Sequence, residues 1–119
     1  MMEFVTDPVV IILGPDRFKL AEDFIYKVYD YTRIVPADFE SDLDSVPRIP
    51  LAYMLLKNRC PRSAILHDYE YEIAELPRDI CDSIFLCSME SEGMPSWARN
   101  LNYAGVRIGG ASHYNKQVT

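Results

Sequence analysis

At 119 residues, with 49% hydrophobic and 25% charged, the chain is long enough for one domain with a real core and too well mixed to be disordered. Twelve Lys and Arg against 18 Asp and Glu give a formal net charge of −6, which disfavours general binding to phosphate backbones and leaves only local basic patches such as Arg59 with Arg62 or Arg99 with Arg107. The three cysteines, Cys60, Cys81 and Cys87, are odd in number, irregular in spacing and without a CxxC pair, so they read as reduced thiols and not as a disulfide framework or a zinc ribbon.

Strand character comes first. Val9 to Leu13 is apolar and largely β-branched, and it stops at Gly14-Pro15-Asp16, a strong turn signal. The run is too short for a membrane span or the core of a signal peptide, and no targeting segment is expected. Arg17 to Leu20 alternates polar and apolar residues. Ala21-Glu22-Asp23 suits a turn. Phe24, Tyr26 and Val28 then alternate with Ile25, Lys27 and Tyr29, and Tyr31 to Val35 continues the sheet after a bend near Asp30. Such short connections predict antiparallel pairing. Tyr26, Tyr29 and Tyr31 are expected to pack within the sheet.

Pro36 to Pro50 is rich in proline and acidic residues, so neither a helix nor a central strand runs through it. Phe39, Leu43, Val46 and Ile49 recur along it and predict a loop packed down on the core. Leu51 to Lys57 suits a short helix. Pro61 opens a longer one, with Ile65, Tyr69 and Ile73 at four-residue steps. Pro77 opens the next, with Ile80, Ile84 and Cys87 or Cys81, Phe85 and Met89 as its apolar lines, and Gly93 ends it. Pro95 opens a third, with Trp97, Leu101, Ala104 and Ile108 along one side and Trp97 expected in the core. Gly109-Gly110 stops it, and a loose polar tail to Thr119 follows. Strands followed by helices make an α+β fold. Residues 1–119 form one domain, with a core over about 8–110, N-terminal antiparallel strands, a packed loop and a C-terminal cluster of about three helices.

His67 and Asp68 sit side by side within an apolar helix, where Ala64, His67, Asp68 and Tyr71 share a face. Buried ionisable groups need partners. Arg78 and Asp82 share a face of the next helix, and Asp42, Ser45 and Arg48 stand on the acidic loop. Two readings stay open. In one, His67, Asp68, Asp82 and Asp42 hold a divalent metal that activates water, with Ser45, Arg48 and Tyr71 as catalytic candidates. In the other, the same groups form a structural ion-pair network, in which Arg48 or Arg78 pairs Asp42, Asp68 or Asp82 and His67 bonds a backbone carbonyl. Ser45 lacks the GxSxG surroundings of a hydrolase nucleophile.

Two runs carry a family resemblance. Val35 to Arg48 is similar to a VPxGFxTDxASxPR-like element, and Ala64 to Tyr71 looks like its HDxLY partner, with Arg78 and Asp82 resembling an R-x-x-x-D helix. Together they resemble the family called domain of unknown function 1353, found largely in phages and prophages, over about Phe18 to Gly110. Ala37-Asp38 replaces the usual small-Gly turn, Asp44 replaces Ala and Glu70 replaces Leu, the last two adding charge beside the site. The resemblance implies synthesis in a bacterial host cytoplasm and a site of Asp42, Ser45, Arg48, His67, Asp68, Tyr71, Arg78 and Asp82. Three functions follow as expectations: a virion or tail component that binds other phage proteins; a metal-dependent hydrolase acting on cell-wall material during entry or lysis; and a host-directed inhibitor. No nucleic acid or membrane span is expected as a partner.

Overall fold

The computed structural model describes residues 2–14, 17–42, 61–111 and 114. The strands come first and the helices after, as an α+β fold requires. Among the described residues, six strands form two three-stranded antiparallel sheets. The first sheet orders β1 (Met2–Phe4), β4 (Phe24–Val28) and β5 (Tyr31–Val35); the second orders β2 (Val10–Gly14), β3 (Arg17–Leu20) and β6 (Glu40–Asp42). The sequence marks four of the six: β2 by its apolar β-branched run, β3 and β4 by alternation, and β5 as the continuation of β4. The terminal β1 and the three-residue β6 are too short to show a period, and pairing with β4 and β3 defines them. As expected, β5 continues the sheet of β4 with antiparallel pairing.

In β4 the alternation is clear: Phe24 and Tyr26 are buried and Lys27 is exposed. A two-residue turn joins β4 to β5, so Val28 pairs with Tyr31 and Tyr26 lies directly opposite Arg33. Tyr29 takes the left-handed conformation there, at φ 54°. Of the three tyrosines expected to pack in the sheet, only Tyr26 does so; Tyr29 and Tyr31, at the hairpin end, are exposed.

Three helices follow among the described residues: α1 (Pro61–Ile73), α2 (Arg78–Ser91) and α3 (Ser96–Gly109). Pro77 and Pro95 precede α2 and α3 in extended conformation, with φ preset by the ring. Gly93, at φ 83°, ends α2, and the Met94 N–H reaches back to the Met89 carbonyl. The predicted helix over Leu51–Lys57 and most of the packed loop lie outside the described residues. In the stretch expected to be a loose tail, Tyr114 packs edge-on against Tyr71 and donates to the Leu76 carbonyl at 2.5 Å.

The core has two parts. Leu20, Phe24, Tyr26, Val35, Phe39, Ile65, Leu66 and Ile84 pack where both sheets meet α1 and α2. Phe85, Met89, Met94, Ala98 and Val106 pack α2 against α3. Helix α1 is buried on nearly every side, polar positions included: Ser63, His67, Asp68 and Glu70 are as inaccessible as Ile65 and Leu66. Its first turn is capped from afar. Glu92, just beyond α2, accepts from the Ser63 N–H (3.0 Å), the Ser63 hydroxyl (2.6 Å) and the Arg62 N–H (3.3 Å). A carboxylate at a helix N-terminus satisfies free N–H groups and meets the positive end of the dipole.

Helix α3 corrects one expectation. Its buried line is Ala98, Asn102 and Val106. The bulkier line predicted to face inward, Trp97, Leu101, Ala104 and Ile108, faces solvent. The smaller line is the one that packs: Ala98 and Val106 lie against Phe85, Met89 and Met94. Just past the helix, a Cβ on Gly110 would lie 2.8 Å from the Tyr71 hydroxyl.

Candidate functional site

Helix α1 carries His67 and Tyr71 one turn apart, and α2 presents Asp82 to both. Asp82 is fully buried. Its Oδ1 lies 2.8 Å from His67 Nε2 and accepts the Tyr71 hydroxyl at 2.6 Å; its Oδ2 accepts from Arg107 Nη1 at 2.7 Å. The imidazole packs between the Tyr71 and Phe85 rings, with centroids 4.2 and 4.4 Å away. Burial pushes the Asp82 carboxyl up, but the bonds from His67, Tyr71 and Arg107 outweigh it and hold the group below its ordinary value. An ionised carboxylate only accepts, so the 2.8 Å bond calls for an N–H at His67 Nε2. Burial and the Asp82 carboxylate together push the Tyr71 phenol up.

Arg78 completes this cluster by another route than the spacing suggests. Its Nε donates to the Tyr71 oxygen at 3.2 Å, and its Nη2 donates to the carbonyls of Val106 and Arg107 at 2.8 and 2.7 Å. Arg78 thus closes the C-terminal end of α3, adding to the bond the Val106 carbonyl already accepts from the Gly110 N–H. The arginine on Asp82 is Arg107, which no spacing pattern singles out, and His67 bonds the Asp82 carboxylate where a backbone carbonyl was expected. Asp68 is buried next to His67 in sequence. Asp42, in β6, pairs through its backbone with Arg17 of β3; its side chain, Ser45 and Arg48 lie outside the described residues. The chain entering the acidic loop does reach α1, where Phe39 meets Tyr69 edge-on at 5.2 Å.

Chemically, the described cluster links three helices. Both Asp82 oxygens are taken by protein donors, one of them a guanidinium. Among the described residues, no group of three or more His, Cys, Asp or Glu is placed to hold a metal ion.

A second buried carboxylate lies on another side of α1. Glu70 is 1% exposed. It accepts from the Tyr26 hydroxyl and from both ends of the Arg33 fork, Nε at 3.0 Å and Nη2 at 2.5 Å. Arg33 also reaches Glu75 at 3.1 Å. Burial and the Glu70 charge push the Tyr26 phenol far up, and the Glu70 bond raises Arg33 further still. This centre went unseen in the sequence because its donors lie on two strands and depend on the β4–β5 register. Cys81 sits between the two centres, and burial, then the charges of Glu70 and Asp82, push its thiol up to about 12.

The family described as Protein of unknown function (DUF1353) matches residues 18–106. The chain belongs to this family. The match takes in His67, Tyr71, Arg78 and Asp82, begins within β3 and ends one residue before Arg107, leaving β1 and β2 outside it. Neither a curated protein nor a solved structure matches the chain. No helix among the described residues is long and apolar enough to cross a membrane.

Proposed function

We propose that this DUF1353 protein works by binding other proteins, as a component of a phage virion or tail, and that the outer face of α3 makes the contact. The supporting observation is the stripe Trp97, Leu101 and Ile108, which repeats at helical spacing yet faces solvent, with Trp97 64% and Ile108 86% exposed. Apolar side chains in line on a helix are read by a partner's groove, and an exposed tryptophan is a favoured anchor in such contacts. The phage setting comes from the family resemblance. A hydrolytic role for His67, Asp68, Asp82 and Asp42 has less support, because Asp82 already has its charge balanced by Arg107 and its oxygens filled.

Co-sedimentation with purified particles of the encoding phage tests this reading. The wild-type chain is expected to travel with the particles, and the variant Trp97→Asp/Ile108→Asp is expected to be lost from them while keeping its circular dichroism and melting temperature. A wild-type chain absent from washed particles, or a variant retained as well as wild type, removes the proposal.

A further inference from the structure

Strand β2 is an edge strand, paired only with β3 among the described residues. It carries no charge, and its apolar run is exposed on both faces of the sheet: Ile12 is 71% exposed, and Val9, Val10, Ile11 and Leu13 lie between 41% and 46%. A long apolar edge of this kind invites another strand, and proteins ordinarily cover or blunt it. A charge, a bulge or a proline blunts such an edge; Val9 to Leu13 has no charge or proline, and its bulge is confined to Leu13, beyond Ile12.

The direction of the backbone groups can be read from the pairing. The Ala21 N–H donates to the Val9 carbonyl, so Val9 points toward β3. Leu20, opposite Val10, directs its N–H to Phe39 and its carbonyl to Asp38, away from β2. Along an antiparallel strand these directions alternate. Ile11 therefore faces β3, and the N–H and C=O groups of Val10 and Ile12 point to the open edge. The bulge begins only after Ile12 and leaves this pattern intact.

We infer that two copies of this chain pair through β2, antiparallel, with the two-fold axis at Ile11. In that register Val10 of each copy faces Ile12 of the other, and all four outward groups on each strand are satisfied reciprocally. Shifting the axis to Val10 sets Ile12 opposite Pro8, which has no N–H to give. Shifting it to Ile12 sets Val10 opposite Gly14, where the bulge has already disturbed the strand. A second copy is the favoured occupant because a strand that is apolar on both faces is its own complement, and because two chains that each carry a net charge of −6 meet here along a segment free of charge. The two sheets become one of six strands. This inference rests on β2 and is independent of the α3 stripe.

Sedimentation of the full chain over a concentration series is expected to give a dimer of the 13.7 kDa protein. Val10→Pro deletes an outward N–H and leaves the β3 ladder alone; its dissociation constant is expected to rise at least about tenfold. At the dyad, Ile11 faces its own copy across a pair without mutual hydrogen bonds, about 4.5 Å between Cα atoms, close enough for a disulfide. In a Cys60→Ser/Cys87→Ser background, Ile11→Cys is expected to cross-link under mild oxidation far faster than Ile12→Cys. A wild-type chain that stays monomeric, a dimer indifferent to Val10→Pro, or equal cross-linking of the two cysteine variants overturns the inference. Trp97→Asp/Ile108→Asp leaves the dimer intact, so failure here and failure of the particle contact are read separately.

Discussion

Two carboxylates are buried against the same helix, and they are held in different ways. Asp82 gathers its donors from the helices: an imidazole, a phenol and a guanidinium, on α1 and α3. Glu70 gathers its donors from the first sheet, a phenol on β4 and a guanidinium on β5 that lie opposite each other in register. The Asp82 centre therefore fastens helix to helix, and the Glu70 centre fastens helix to sheet. Three groups of the first, His67, Tyr71 and Asp82, lie among the residues that carry the family resemblance, while its arginine, Arg107, does not. The second is built on a position where this chain departs from it. A charge that looks like an addition to the first site is the centre of another.

The sharpest way to break this comparison is to strip Glu70 of its arginine. Arg33→Met leaves a charge in a 1% exposed position and is expected to cost about 3 kcal/mol in urea unfolding. Adding Glu70→Leu, the residue of the family pattern, removes the stranded charge and is expected to recover most of that loss. A double variant no more stable than the single one would mean that Glu70 is not held as an ion pair.

Asp82→Asn probes the other centre and is expected to cost about 2 kcal/mol near pH 7, since charged hydrogen bonds are replaced by neutral ones. Here pH separates charge from packing. The folded Asp82 carboxyl lies below its ordinary value, and an unfolded Asp titrates near about 3.9. Its contribution is therefore complete above that value and disappears as pH falls through the folded one. The stability gap between wild type and Asp82→Asn should hold from pH 7 to about pH 5 and narrow below about pH 4. A gap that stays constant into acid would assign the loss to shape alone.

The smallest effect is a rate. In a Cys60→Ser/Cys87→Ser background, Cys81 at pH 8 should react with a thiol reagent at least about a hundredfold more slowly than a free cysteine, because little thiolate forms. Glu70→Gln should speed that reaction more than Asp82→Asn does, as the stronger of the two charges acting on the thiol. The reverse order would exchange the ranking of the two centres at the point where they meet.

What the sequence made legible follows the range of the interactions. Pro77, Gly93 and Pro95 act within a turn of themselves, and they punctuate the helices where expected. His67, Tyr71 and Asp82 share faces fixed by helical spacing, and the structure brings them together. Arg107 stayed hidden because it acts across two helices, through a packing angle that no periodicity encodes. Glu70, Tyr26 and Arg33 stayed hidden because a strand register joins them. Trp97 misled for another reason: an apolar line shows that a face wants cover, but does not say whether the cover comes from this chain. The side chains of Asp42, Ser45 and Arg48 lie outside the described residues.

The cap on α1 carries a consequence for how the protein assembles. Its first turn is closed by Glu92, 30 positions after Arg62, and its buried surface mixes apolar with charged groups on every side. Such a segment gains little from forming alone, since an isolated helix of this length is marginal and this one has no single greasy face to hide. Its helical form therefore leans on the second helix beside it, and the two are expected to melt as one cooperative unit.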